Sequence, residues 1–198
     1  KVHNLQIKRA AAALMEADRP VLYVGGGVKY SDGHRELVEL AEKIKAPVTT
    51  TLMGIGCFPE DHPLSLGMLG MHGTTYANYA VQEADAILAV GARFDDRVTG
   101  KIASFAPQAK IIHVDVDPAE IGKNVRVDIP VVGDAKSALA ELAKAVEEKP
   151  WSPWNDKVAG WKNDHPLGYR KDGGTIKPQA VLETICKLCP DAVIVTEV

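Results

Sequence analysis

Short stretches of this 198-residue chain combine glycine with side chains that bind charge. They are Gly25-Gly26-Gly27, Thr51-Leu52-Met53-Gly54, Gly91-Ala92-Arg93-Phe94-Asp95-Asp96-Arg97, Asp115-Val116-Asp117-Pro118 and Gly133-Asp134. Glycine lets backbone N–H groups approach a pyrophosphate and accepts positive φ. Arg93 and Arg97 carry forked donors that match phosphate oxygens. Asp115 can accept from ribose hydroxyls. Asp134 can accept from an adenosine hydroxyl or cap the helix that follows it. The chemistry these groups share is the holding of a nucleotide-like ligand.

Each group also has a purely structural use. The glycine triplet is not a Gly-x-Gly-x-x-Gly fingerprint, because Tyr30 stands where the last glycine belongs; alone it suits a tight turn. Arg93 and Arg97 can pair with Asp95 and Asp96 in a solvated loop. Asp134 reads first as an N-cap. His72, between Gly70 and Gly73, is isolated. No Gly-x-Ser-x-Gly, Walker or His-Glu-x-x-His motif is present, so no catalytic residue is expected here. Cys186 and Cys189 lie at a helix end near Pro190, whereas a thioredoxin motif opens a helix. No second cysteine pair completes a zinc site, and His62 and His113 lack ligand spacing. No metal site is therefore expected.

Composition narrows the classes further. The net charge is −3, with 46% hydrophobic and 25% charged residues. No Lys/Arg block argues for nucleic acid. The longest apolar runs, such as residues 86–92, are too short to span a bilayer, and residues 1–9 do not read as a signal peptide. Three cysteines cannot make a paired framework and suit a reducing, cytoplasmic setting. With no initiator Met and an end inside an apolar run, the chain reads as a piece of a longer protein.

The elements that must position these residues alternate. Helices are expected over residues 5–18, 33–45 (capped by Asp32), 74–84 and 135–148. Strands are expected at 21–24, 47–51, 86–90, 110–114 and within 127–132. A long irregular stretch, 52–73, is rich in glycine and proline, and connections of that length are usually functional. Strand and helix in alternation predict an α/β fold: a Rossmann-like parallel sheet flanked by helices on both faces. Ligands of such sheets bind beyond the carboxyl ends of the strands, where all of the glycine-bearing stretches fall. From Pro150 the character changes. A tryptophan-bearing helix in a linker is expected over 150–175, then a helix at 178–188 and a strand at 192–196.

Taken together the motifs resemble the acetolactate synthase (acetohydroxyacid synthase) catalytic large-subunit family of thiamine-diphosphate enzymes. The resemblance rests on Pro20-Val-Leu-Tyr-Val-Gly-Gly-Gly27, Thr51-Leu-Met-Gly-Ile-Gly56, Leu66-Gly-Met-Leu-Gly-Met-His-Gly73, Val90-Gly-Ala-Arg-Phe-Asp-Asp-Arg-Val-Thr-Gly100, His113-Val-Asp-Val-Asp-Pro-Ala-Glu-Ile-Gly122 and Ile176-Lys-Pro-Gln-Ala-Val181. It implies that residues 1–149 are the middle, FAD-binding α/β domain. Residues 150–175 would be a linker and 176–198 the start of a C-terminal pyrophosphate-binding domain. The implied reaction condenses two pyruvates, or pyruvate and 2-oxobutanoate, with loss of CO2, on the way to valine, leucine and isoleucine. The resemblance also implies that the flavin transfers no net electrons.

Carried over residue by residue, the FAD contacts would be Gly25, Gly26, Gly27, Thr51, Leu52, Met53, Leu69, Gly70, Met71, His72, Gly91, Arg93, Asp95, Arg97, Val98, Asp115, Val116 and Asp134. Thiamine diphosphate and Mg²⁺ would bind outside this chain, as would the catalytic Glu. Implied partners are the rest of the same enzyme chain, further copies in a homodimer or homotetramer, and a small regulatory subunit. Neither nucleic acid nor membrane is implied. Two other expectations stand beside this one: the middle domain of another thiamine-diphosphate carboligase or pyruvate oxidase, and a non-catalytic dinucleotide-binding module.

Overall fold

Apolar runs such as Pro20-Val-Leu-Tyr-Val and Ala86-Ile-Leu-Ala-Val are buried at every position, so they need cover on both faces. The computed structural model, which describes residues 2–170 and 174–195, supplies it. The strands β1 (Pro20–Val24), β2 (Val48–Thr50), β3 (Ser65–Met68), β4 (Ala86–Val90), β5 (Lys110–Asp115) and β6 (Ile129–Val132) form one sheet. All pairs are parallel, in the order β3-β2-β1-β4-β5-β6.

Successive side chains on a strand point to opposite faces, and the two cores follow that period. Leu22, Val24, Leu88, Val90, Ile112 and Val114 meet α1 (Asn4–Glu16), α2 (Gly26–Tyr30), α3 (His34–Ile44) and α6 (Ala135–Ala145). Val21, Tyr23, Ile87, Ala89 and Ile111 meet α4 (Thr75–Glu83) and α7 (Pro153–Asp164). The short α5 (Asp96–Thr99) follows the loop after β4. In α3, Leu37, Leu40, Ala41 and Ile44 recur at helical spacing and are buried. That helix ends at Lys45 in a left-handed conformation, two residues before Pro47, whose ring disfavours a preceding helical residue.

Several expectations need correcting. Asp32 does not cap α3: it sits at φ 56, and Gly33 is the N-cap with no side-chain bond. The stretch 52–73 is not wholly irregular, since it holds a 3-10 turn at Leu52–Gly54 and the edge strand β3. The helix α2 was not anticipated. Residues 192–195 lie in no strand, and Thr196 falls outside the described residues. A lone extended segment has no neighbour to take its backbone hydrogen bonds.

The helix α7 is tied to the second core. Trp154 is buried, donates from Nε1 to the Pro20 carbonyl at 3.2 Å, and meets Trp161 edge to face. Asn155 donates to the Lys45 carbonyl at 2.6 Å. The chain divides into two compact units, Lys1–His165 and Pro166–Val198. The second contains α8 (Pro178–Leu188), on which Val181, Leu182, Ile185 and Leu188 are exposed. No helix of the described residues is long and apolar enough to cross a membrane.

Candidate functional site

The strand order reverses between β1 and β4: from β1 the chain moves outward through β2 and β3, then returns to start β4 on the other side. Loops leaving these two strands go to opposite faces, which opens a crevice at their carboxyl ends. Here the two loops are Gly25-Gly26-Gly27 and Gly91, and they cross in direct contact. Gly25 N–H donates to the Val90 carbonyl at 3.0 Å and Gly27 N–H to the Gly91 carbonyl at 3.2 Å. A Cβ on Gly25 would stand 2.1 Å from the Gly91 oxygen, and one on Gly27 2.6 Å from the Gly91 Cα. Gly91 itself has φ 57. Only glycine fits this crossing.

Above the crossing lies a cleft of about 510 Å³. Of the expected site residues it gathers Gly26, Gly27, Met53, Gly91, Arg93, Asp115, Val116 and Asp134. Asp115 ends β5, and its Oδ1 accepts from the Asp117 N–H at 2.9 Å. Asp134 accepts from the Ser137 N–H at 2.9 Å, so it caps α6 and lines the cleft at once. Among the described residues no ion pair joins Arg93 or Arg97 to Asp95 or Asp96; the arginines do not close a loop network with them. The cleft therefore offers a guanidinium and bare glycine backbone, with carboxylates beside them. The first pair suits phosphate, the second hydroxyl groups.

A second group forms elsewhere on the strand ends. Met71 N–H donates to the Arg97 carbonyl at 2.9 Å, and a Cβ on Gly70 (φ 93) would lie 2.6 Å from that oxygen. Asn78 clamps Gly70 through both amide atoms, at 2.8 and 3.1 Å. Leu69 is buried and Val98 half-buried beneath this junction, while Met71 and His72 are exposed. Asp95 caps α5 through the Arg97 N–H at 3.0 Å. Thr51 and Leu52 sit with Met53 in the 3-10 turn, where Thr51 accepts from Gly54 N–H at 3.0 Å. The expected residues thus divide between the cleft and a stitched loop pair, with Gly25 in the crossing beneath the cleft and Thr51 and Leu52 at the 3-10 turn.

Behind the cleft, the β4 loop rests on an aromatic stack. Phe94, at φ 50, meets Tyr23, Phe105 and His113 edge to face, at 5.2, 5.9 and 5.2 Å. Burial, with Asp95 nearby, raises the Tyr23 phenol above its ordinary range. Burial lowers His113 below its ordinary range, opposed by its bond to the Ala92 carbonyl and by Asp115 and Glu120. A larger open groove of about 1100 Å³ runs along α3, but it shares no residue with the cleft and contains no glycine crossing.

Gly133, named with Asp134 at the end of the last strand, also lines the cleft; sequence reasoning missed Tyr30, Ser31, Glu120 and Ala135 there. Tyr30 and Ser31 follow from α2, too short to leave a periodic signal. Glu120 was visible only as part of a motif. Among the described residues no group of three or more His, Cys, Asp or Glu is placed to hold a metal ion.

Residues 7–142 match the family model described as thiamine pyrophosphate enzyme, central domain. The chain is 54% identical, over 94% of its length, to the probable acetolactate synthase large subunit of Methanocaldococcus jannaschii. It is 50% identical, over 96% of its length, to the acetolactate synthase large subunits of Parasynechococcus marenigrum and Corynebacterium glutamicum. These alignments cover 32%, 31% and 32% of the relatives, so the chain spans about a third of the length of the curated relatives it matches.

Proposed function

Because the chain belongs to the thiamine pyrophosphate enzyme central-domain family, we propose that it is the FAD-binding portion of an acetolactate synthase large subunit. The observation that carries this reading is the glycine crossing at the strand-order reversal, with Arg93, Asp115 and Asp134 around one cleft. A volume of about 510 Å³ is of ligand-pocket size and suits the adenosine and phosphate half of a dinucleotide. The exposed Leu52, Met53 and Met71 suit a flat ring system in the other half, which would extend toward residues 69–72 and 95–98.

Bound here, FAD would serve as a structural group or an evolutionary remnant, with no net electron transfer in the reaction. The backbone of Gly26 and Gly27 and the Arg93 side chain would hold its phosphate, and Asp115 would accept from a hydroxyl. Residues 1–149 would then be the flavin domain, 150–175 a linker and 176–198 the opening of the pyrophosphate-binding domain. Thiamine diphosphate, Mg²⁺ and the catalytic Glu belong to parts of the enzyme outside this chain. The whole enzyme would join two pyruvates, or pyruvate and 2-oxobutanoate, releasing CO2. It would act in the cytoplasm as a homodimer or homotetramer, with a small regulatory subunit.

Flavin fluorescence during titration of the chain tests the cofactor. Saturable quenching is expected. Asp115→Asn should weaken it about tenfold, the loss of one charge-assisted hydrogen bond. No binding up to about 1 mM FAD would overturn the assignment. The intact enzyme should form acetolactate from pyruvate only with thiamine diphosphate; no product under either condition would count against the activity.

A further inference from the structure

His113 is 1% exposed and packs against Phe94, a member of the core that α4 and α7 cover. Its register partner on β4 is Ala89, yet its ring reaches beyond the strand to the Ala92 carbonyl, at 2.7 Å from Nε2. A carbonyl can only accept, so Nε2 carries the hydrogen. The neutral ring then leaves Nδ1 bare, and Nδ1 is buried with no partner. A leucine or phenylalanine would fill this space with no orphaned nitrogen. What the imidazole adds is the one bond to Ala92.

That bond falls where the β4 loop needs holding. Ala92 is buried, and a free carbonyl there would be unsatisfied. The next residue is Arg93, in the cleft, and after it comes Phe94, a non-glycine residue at φ 50. The ring plane of His113 stands at 89° to that of Phe94. One side chain therefore fixes the loop on both sides of Arg93, by a hydrogen bond before it and a ring contact after it. A second tether, from Asn124 to the Arg93 carbonyl at 2.9 Å, holds the loop at Arg93 itself. Asp115 Oδ2 lies 4.0 Å from His113 Nε2, so the same ring abuts the cleft carboxylate.

We propose that His113 is a positioning residue: its Nε2–H tether to Ala92 and its contact with Phe94 set the Gly91–Arg97 loop so that Arg93 enters the cleft. The proposal rests on reading that cleft as the dinucleotide site. The tether itself can be tested without ligand.

Nitrogen-15 NMR of the wild-type chain should show a protonated Nε2 and a bare Nδ1 for His113; the opposite tautomer overturns the proposal. His113→Gln keeps a donor near the Nε2 position, whereas His113→Leu fills the space without one. In His113→Leu, amides 92–97 should exchange at least about tenfold faster while β1 and β4 keep their protection, and FAD affinity should fall about tenfold. His113→Gln should return both to within about threefold of wild type. Unchanged loop exchange in His113→Leu would overturn the proposal, as would equal impairment of the two variants, which would make the role one of packing. If the loop loosens and is rescued but no form binds FAD, the tether stands and the cofactor reading fails.

Discussion

Gly25 looks like a ligand-binding glycine, but its first constraint is another backbone. A Cβ there would overlap the Gly91 oxygen at 2.1 Å, and both partners are main chain with nowhere to move. Gly25→Ala should therefore cost about 3 kcal/mol or more in urea unfolding. Gly160, in α7 with nothing within 4 Å of its added Cβ, should instead gain about 0.5–1 kcal/mol as Ala. His113 carries a pH signature. Burial holds its native pKa below the unfolded value of about 6.5, so the unfolded chain binds the proton first. The contribution is constant above about pH 6.5, and stability is lost as pH falls from there toward the native pKa. Unfolding at about pH 7.5 and 5.5 should reveal this loss, with a smaller loss in His113→Gln; equal losses would contradict it. At this scale the sequence left Asp134 between N-cap and ligand contact. The structure makes it a cap that also faces the cleft, because the first turn of α6 starts at the cleft wall.

Among the elements, α7 is held by Trp154 and Val158 in the second core and by Asn155 on the Lys45 carbonyl, and Trp154 is the largest of its buried side chains. Trp154→Ala should lower stability by about 3–5 kcal/mol, since it empties a buried site and frees the Pro20 carbonyl. Trp151, 48% exposed, should cost less than about 1 kcal/mol as Ala. Denaturant melts of the two variants make the comparison, and equal losses would contradict the docking. Elements were legible where the pattern was long or sharply bounded. Residues 86–90 stand between Asp85 and Gly91, and β4 has those ends. Residues 65–68 were not read as a strand because Gly67 interrupts them, and β3 is an edge strand paired only with β2, with a register shift. Asp32 failed as a cap because the turn puts it at positive φ, and local composition does not specify that angle.

For the whole molecule, alternation of apolar runs with amphipathic segments was enough to require a parallel sheet with helices on both faces. Strand residues alternate in period, and both cores follow from it. The rule that ligands bind at strand carboxyl ends pointed to the edge where the cleft lies, and the motifs along the chain named the family that residues 7–142 match. Period-2 alternation says which side chains share a face. It says nothing of which strand lies beside which, and so the order β3-β2-β1-β4-β5-β6 appears only in three dimensions. From that order follow the crossing of Gly25 and Gly27 with Gly91, and the reach of His113 to Ala92. It also separates Arg93, in the cleft, from Arg97, stitched to Met71. These contacts join residues far apart in the chain through backbone approach and single hydrogen bonds. Local sequence determined the kinds of groups at the site; non-local packing alone decided which of them meet.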